Sequence, residues 1–239
     1  MNSVLEPALD ALVFAPHPDD AEVGMGGTLA KLAAMEKRVG VVDMTRGELG
    51  TKGDAENRAR EAEEASRILG LTLRINLDLG DGKLADTEEN RRRVTDVIRQ
   101  TRPAHVFVTT TFDRHPDHRA AAELVSAAFF LARLPKWETA YPAHSPRRCV
   151  HYYMHDVRDV RFVVDITEHF EKKKRALEAF ASQFVNPMLP EGYRYAGIED
   201  YLGQLEALNR ALGTQVGVKY AEGFYTPGPV LAAHPLLFD

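Results

Sequence analysis

Cysteine is nearly absent from this chain: Cys149 is the only one, so no disulfide can form within it. Net charge is −5 and the longest basic run is only the four residues 172–175, so no nucleic-acid partner is expected. The N-terminal residues lack the basic stretch of a signal peptide. No apolar run approaches the roughly 18 residues of a membrane span. These absences predict a cytoplasmic protein that binds neither nucleic acid nor membrane.

Two common catalytic motifs are also missing, since the sequence has neither a Walker A motif nor G-x-S-x-G. Glycines do cluster at Gly24, Gly26 and Gly27, but their spacing is not that of the dinucleotide fingerprint G-x-G-x-x-G. The pattern therefore argues against a nucleotide-binding protein. It predicts instead that the glycines allow close packing near the start of a helix.

Short apolar runs alternate with helical patterns through the first half of the chain. Predicted strands cover 11–15, 39–44, 71–77 and 106–110, and predicted helices cover 28–38, 55–69, 87–101 and 119–134. This alternation predicts an α/β fold with a mainly parallel sheet covered on both faces. Further elements are predicted at 149–154, 160–166, 168–184, 198–212 and 219–225. With no linker or repeat, residues 1–239 are expected to form one domain.

Two similar tetrapeptides each follow an apolar strand: His17-Pro-Asp-Asp20 after the first, and His115-Pro-Asp-His118 after the fourth. Ligands of such sheets bind beyond the carboxyl ends of the strands, where both tetrapeptides fall. Two imidazoles and one carboxylate with one open position are typical of hydrolytic zinc. The predicted ligands are His17, Asp20 and His118. Fe²⁺ and Co²⁺ suit the same donors.

The neighbours of these ligands are candidates for catalysis. Asp19 is predicted to be a general base, because adjacent aspartates in a tight loop rarely bind one ion together; the alternative is that Asp19 and Asp20 cap the next helix. His115 is predicted to polarise a carbonyl or protonate a leaving amine as an imidazolium. Asp117 is expected to hold a histidine tautomer, with a helix N-cap as its alternative. Asp113 is a weaker candidate, with a turn role equally open.

Two charged residues of the second strand–helix connection are candidates for a contact with substrate. Arg58 lies in the first turn of the helix, where the sequence alone favours a surface salt bridge and the alternative is a substrate contact. Glu48 follows the second strand and is expected to face the cleft, although it also fits a plain loop acid.

These residues resemble the LmbE-like, or PIG-L, family of zinc-dependent N-acetylglucosaminyl deacetylases. The resemblance rests on Ala15-Pro-His-Pro-Asp-Asp-Ala-Glu-Val-Gly24, Gly26-Gly27-Thr28, Thr45-Arg-Gly-Glu-Leu-Gly50, Arg58-x-x-Glu61 and Asp113-x-His-Pro-Asp-His118. It implies a Rossmann-like three-layer fold and additional C-terminal strands and helices. It also implies zinc held by His17, Asp20 and His118, a water activated by that zinc, Asp19 as the base and His115 as the electrostatic or acid partner. The resemblance further implies that Arg58 contacts the substrate.

The second half resembles the deacetylases of bacillithiol biosynthesis, which act on N-acetylglucosaminyl L-malate. The matching segments are Trp137-Glu-Thr-Ala-Tyr-Pro-Ala-His144, Phe162-Val-Val-Asp-Ile-Thr167, Lys173-x-x-Ala176, Ser182-Gln-Phe184 and Tyr220-Ala-Glu-Gly-Phe224. This branch implies that Tyr193 or Tyr195 closes over the sugar or helps to stabilise the oxyanion, and that the chain forms a homo-oligomer, a trimer or hexamer. The alternatives are another N-acylated sugar, a thiol conjugate, or a non-catalytic metal-binding module.

Overall fold

A computed structural model of the chain describes residue 4 and residues 6–51, 53–154, 156–185 and 200–229. The strands are β1 (Ala11–Ala15), β2 (Val39–Asp43), β3 (Leu73–Asn76), β4 (His105–Thr109), β5 (Arg148–Tyr152), β6 (Phe162–Asp165) and β7 (Ala221–Tyr225). The helices are α1 (Asp20–Ala34), α2 (Ala55–Leu69), α3 (Glu88–Thr101), α4 (Pro116–Leu131), α5 (Phe170–Glu178), α6 (Ala181–Phe184) and α7 (Tyr201–Gln215).

All seven strands join one sheet in the order β3-β2-β1-β4-β5-β7-β6. Strands β1 to β5 pair in parallel, and β7 runs antiparallel to both β5 and β6. The predicted three-layer α/β fold with a mainly parallel sheet is therefore confirmed, and the additional C-terminal strands extend one edge. The strand order reverses between β1 and β4, where doubly wound sheets bind their ligands.

The apolar core lies on both faces of the sheet. One cluster packs beneath α1, α2 and α5, and the other beneath α3 and α4. Every residue of β1 and β2 is buried, as expected of strands covered on both faces. None of the helices in the described part of the chain combines the length and the apolar character that crossing a membrane requires.

Helix α2 shows how local sequence sets element boundaries. Asp54 accepts a hydrogen bond from the backbone N–H of Asn57, which satisfies a donor at the start of the helix. Gly70 ends it in the left-handed conformation, with φ of 81°. The predicted helix 55–69 and its glycine C-cap are confirmed.

Two helices begin earlier than predicted. Helix α4 starts at Pro116 rather than 119, because proline suits the first turn of a helix. Helix α1 starts at Asp20 rather than 28 and includes the three glycines. A Cβ atom on Gly24 would lie 2.2 Å from Cδ2 of Tyr152, and one on Gly27 would lie 2.7 Å from Ile166. The predicted close packing is confirmed.

A buried ion pair spans a break in α1. Met25 departs from helical geometry with φ of −147°. The Lys173 ammonium donates to the carbonyl of Val23 at 2.8 Å and to Glu222 at 2.6 Å. Glu222 also accepts from the backbone N–H groups of Gly27 and Thr28 on the far side of the break. The pair thereby satisfies backbone groups that the break would leave unbonded.

Lys173→Met is expected to lower the free energy of unfolding by about 3–5 kcal/mol, because it leaves the Glu222 carboxylate buried without its counter-ion. Urea unfolding of the metal-free protein measures this. Lys172→Met is the matched control, since Lys172 is only partly buried on the same helix; its effect is expected to stay within about 0.5 kcal/mol. Equal stability of the two variants would contradict the structural role of the pair.

Candidate active site

The two tetrapeptides meet beyond the carboxyl ends of β1 and β4. The ring centroids of His17 and His118 are 5.5 Å apart, and those of His115 and His118 are 4.7 Å apart. One ring nitrogen from each of the three histidines lies within 4.8 Å of the others. The site forms here because β1 and β4 are neighbours whose loops open into one crevice.

The Asp20 carboxylate lies between two of these imidazoles. Its Oδ2 atom is 3.1 Å from Nδ1 of His17 and 3.2 Å from Nε2 of His118. Donor atoms around a tetrahedral ion with bonds of about 2.0–2.1 Å lie about 3.3 Å apart. Both the spacing and the donor chemistry therefore fit a divalent ion such as zinc.

Further carboxylates contact the ring nitrogens of His17 and His118. Nε2 of His17 lies 3.2 Å from Asp81 and 3.3 Å from Asp117, and Nδ1 of His118 lies 3.1 Å from Asp113. Such contacts orient an imidazole and raise its basicity toward a metal. Sequence reasoning named Asp117, left Asp113 open, and missed Asp81, which no local motif marks.

The charged histidines and aspartates of the site shift one another's pKa values. Burial by itself lowers the pKa of His118, but the carboxylates of Asp20 and Asp113 outweigh it and raise that pKa to about 9. Burial alone would raise the pKa of Asp20, yet His118 and His17 hold it well below its usual range. Carboxylate and imidazolium thus balance each other, and a divalent cation can replace the ring protons in that balance.

Asp19 occupies the N-cap position of α1 with an unusual backbone, φ of 122°, and its side chain makes no capping hydrogen bond. Positive φ in a residue other than glycine is strained and concentrates at functional sites. Burial raises the pKa of the Asp19 carboxyl to about 7, although the charge of Arg58 opposes that rise. The absence of a capping hydrogen bond argues against the helix-cap alternative for Asp19, and a carboxyl with this pKa can take up and release a proton near neutral pH.

Arg58 holds this carboxylate. Its guanidinium donates to Oδ2 of Asp19 at 2.7 Å and to the carbonyl of Pro18 at 3.1 Å. The surface salt bridge favoured by the sequence alone is wrong, because Arg58 is buried and its partner lies in the site. Its side chain extends from the first turn of α2 across Gly47, where a Cβ would come within 3.3 Å of Arg58.

His115 is the N-cap of α4, where Asp117 was the alternative candidate. Nδ1 of His115 accepts from the backbone N–H of Asp117 at 3.2 Å, so the proton of the neutral ring lies on Nε2. Burial lowers the pKa of His115, and the charges of His118 and His17 lower it further. These effects disfavour the predicted imidazolium and favour a neutral ring that donates through Nε2.

Glu48 is exposed, and both its carboxylate oxygens bind backbone. Oε1 accepts from the N–H of Asp81 at 2.9 Å, and Oε2 accepts from the N–H of Arg46 at 3.1 Å. The Glu48 side chain thus links its own loop to the loop that carries Asp81, beside the site. A direct contact with substrate stays a prediction.

One tyrosine near the site was not predicted. Burial raises the pKa of the Tyr201 phenol, and the negative charges of Asp19 and Asp20 raise it further, which puts the phenol within electrostatic range of both. Its ring stacks on Phe184 at 5.4 Å. The predicted Tyr193 and Tyr195 lie outside the described residues.

A sheet of this topology with two imidazoles and a carboxylate at its carboxyl edge is typical of a metal-dependent enzyme. Residues 12–129 match PIG-L, the family of the GlcNAc-PI de-N-acetylase. A diacetylchitobiose deacetylase of Thermococcus kodakarensis is 32% identical over 98% of this chain and 90% of its own length. The chain belongs to the PIG-L/LmbE family of deacetylases.

Two further proteins are similar to this chain. The conserved protein TT1542 from Thermus thermophilus superposes with a TM-score of 0.85 at 42% identity, over 94% of this chain and 97% of that one. A probable N-acetyl-alpha-D-glucosaminyl L-malate deacetylase 2 of Bacillus anthracis is 27% identical over 72% of this chain and 80% of its own length.

Proposed function

We propose that this deacetylase of N-acetylglucosamine-containing substrates releases acetate from N-acetylglucosaminyl L-malate. The convergence of His17 and His118 on one oxygen of Asp20, with Asp19 beside them, carries the hydrolytic part of the proposal. His17, Asp20 and His118 would hold zinc. When bound, the ion would supply Lewis-acid activation of the attacking water and of the acetyl carbonyl.

The proton transfers fall to Asp19. Its carboxylate accepts a proton from the attacking water, and a pKa of about 7 suits both this step and the return of the proton. Arg58 fixes the carboxylate in place at 2.7 Å. Since His115 is neutral by the argument above, protonated Asp19 is the better donor to the leaving amine. The products are acetate and the free glucosaminide amine.

The developing oxyanion needs hydrogen-bond donors that the chain provides. His115 can donate through Nε2–H, whose position is fixed because Nδ1 is occupied by the N–H of Asp117. Donors arranged in advance at the site of developing charge are often the largest catalytic effect. Tyr201 is a further candidate to contact substrate, since its phenol lies within range of Asp19.

The assignment of malate as the aglycone is more specific than the assignment of N-deacetylation, and it needs its own support. It is supported by the sequence segments of the second half and by the similarity to the Bacillus anthracis enzyme. The chitobiose-type substrate of the Thermococcus relative is the main alternative. The expectations of a single domain, a cytoplasmic location and a trimer or hexamer stay predictions.

The direct test compares three substrates with metal-depleted and zinc-restored protein: N-acetylglucosaminyl L-malate, N,N′-diacetylchitobiose and 1D-myo-inositol 2-acetamido-2-deoxy-alpha-D-glucopyranoside, which is named for another relative. Release of acetate and amine is expected only with metal, and with the highest kcat/KM for the malate conjugate. A preference for chitobiose would retain the deacetylase and overturn the malate assignment. Zinc binding without turnover of any substrate would contradict the proposed function.

Arg114 allows a sharper test of the anionic aglycone. It is exposed, directly precedes His115, and lies within electrostatic range of Tyr201. If it pairs with a malate carboxylate, Arg114→Ala should raise KM for the malate conjugate about ten-fold and leave that for chitobiose unchanged. Arg133→Ala, an exposed arginine beyond the far end of α4, is the matched control. An equal change with both substrates would exclude charge recognition.

A further inference from the structure

The carboxylate of Asp81, which belongs to neither tetrapeptide, contacts the ring of His17. Asp81 lies in the loop between β3 and α3, and only 7% of its surface is exposed. Its Oδ1 atom is 3.2 Å from Nε2 of His17, although the two residues are 64 positions apart in sequence. The opposite nitrogen of the same ring, Nδ1, faces Asp20.

The two ring nitrogens of His17 therefore have different partners: Nδ1 faces the candidate ligand Asp20, and Nε2 faces Asp81. A histidine that binds a metal through Nδ1 keeps its proton on Nε2, and that N–H needs an acceptor. Asp81, His17 and Asp117 also form a cluster whose donor atoms lie within 4.8 Å of one another. A second cation there would compete with the Nε2 proton, so an orienting role explains the cluster better than a second metal site does.

We propose that Asp81 is a positioning residue, which fixes the ring of His17 for metal binding and couples it to the loop 45–50. The proposal rests on the metal centre of the proposed function. It extends that function to a residue outside the two tetrapeptides and outside the loop that carries Glu48.

The coupling follows from the other contacts of Asp81. Its Oδ2 atom accepts from the backbone N–H of Leu49 at 2.9 Å. Its own backbone N–H donates to Oε1 of Glu48 at 2.9 Å. These reciprocal bonds attach Asp81 to the loop 45–50 at two points, so a displacement of Glu48 or Leu49 also displaces the acceptor of His17.

Asp117 supports the same ring from another direction. Its Oδ2 atom accepts from the N–H of Gly82 at 2.7 Å and lies 3.3 Å from Nε2 of His17. Asp117 comes from the first turn of α4, whereas Asp81 comes from the loop after β3. The ring of His17 is thus contacted by carboxylates from two segments, and these segments are joined because the N–H that anchors Asp117 belongs to Gly82, next to Asp81.

Asp81→Asn tests the proposal with little change in shape. Both oxygens of Asp81 accept from N–H donors, and an asparagine amide replaces one acceptor with a donor. The affinity for Co²⁺ and Zn²⁺, measured by chelator competition, is expected to fall about 10- to 100-fold. The visible absorption of the Co²⁺ form should change as well, because the orientation of a ligand changes.

Asp86→Asn is the matched control. Asp86 lies in the same loop, but it is partly exposed and pairs with Arg91 of α3 rather than with a residue of the loop 45–50. Its metal affinity and Co²⁺ spectrum should equal those of the wild type. Glu48→Ala removes the acceptor of the Asp81 N–H and is expected to weaken metal binding in the same direction, but by a smaller factor.

The outcomes separate this inference from the proposed function. If the wild type binds metal and Asp81→Asn binds it equally with an unchanged Co²⁺ spectrum, Asp81 does not position His17 and the deacetylase proposal stands. If Asp81→Asn lowers only the stability of the metal-free protein, its role is structural and the inference fails. Unchanged metal affinity in Glu48→Ala would overturn the coupling to the loop. A wild type that binds no metal would contradict the metal centre itself.

Discussion

Asp19→Asn is expected to lower kcat by about 10²- to 10⁴-fold, the usual contribution of a general acid–base group. The amide cannot take the proton of the attacking water. It still offers one oxygen to the guanidinium of Arg58, which now binds the Asp19 carboxylate at 2.7 Å. Asparagine also tolerates positive φ better than most residues do, which matters at a backbone φ of 122°.

Single-turnover kinetics and metal content distinguish loss of the base from loss of the site. Metal content should stay at the wild-type level in both Asp19→Asn and Asp19→Ala, because Asp20 rather than Asp19 faces the two imidazoles. Asp54→Asn is the control, since it exchanges one good N-cap for another at the start of α2. Retention of most of the activity in Asp19→Asn would remove Asp19 from the role of base.

His118→Ala is expected to abolish stoichiometric metal binding, with a loss of affinity well above the roughly 100-fold typical of an orienting partner. The imidazole supplies one of the two nitrogens that converge on Asp20, and it is almost fully buried. Elemental analysis after dialysis, together with chelator competition, measures the loss. Activity should fall with the metal content and return only at high added zinc.

His115→Ala decides between two ligand sets. One nitrogen of His115 also lies within 4.8 Å of those of His17 and His118, so the geometry also offers an all-histidine set. The proposed role of His115 as a donor predicts that His115→Ala keeps its metal and loses turnover. His144→Ala is the control, because that histidine binds the carbonyl of Pro103, before the amino end of β4 and away from the site.

Full metal occupancy in His118→Ala would exclude His118 as a ligand.

Much of the fold could be predicted because its signals are local. Helix α2 has its Asp54 cap, its apolar spacing and its Gly70 terminus within 17 consecutive residues, and the predicted bounds match the structure. Apolar runs located β1 and β2 because parallel strands are buried on both faces. Predictions were poorer where packing overrides propensity. The glycines of α1 are one case, and the predicted helix 168–184 is another, since α5 ends at Glu178 and α6 begins at Ala181.

The same distinction holds within the site. The tetrapeptides and the order of the strands were sufficient to bring His17, Asp20 and His118 together, because adjacent parallel strands open at the same edge of the sheet. Spacing along the chain does not reveal a partner that arrives from a third loop. Asp81, which contacts His17 across 64 positions, and Tyr201, at the start of the last described helix, therefore went unrecognised.

The sequence by itself determined the α/β class, the candidate donor atoms and the family resemblance, because each depends on residue type and short-range order. Only the tertiary structure decided the electrostatic state of those residues. Arg58 became a buried partner of Asp19 rather than a surface charge, and His115 became a neutral donor with a defined tautomer. A pKa depends on burial and on charges within a few ångströms, and tertiary packing sets the burial of these groups and brings Arg58 to Asp19 across 39 positions.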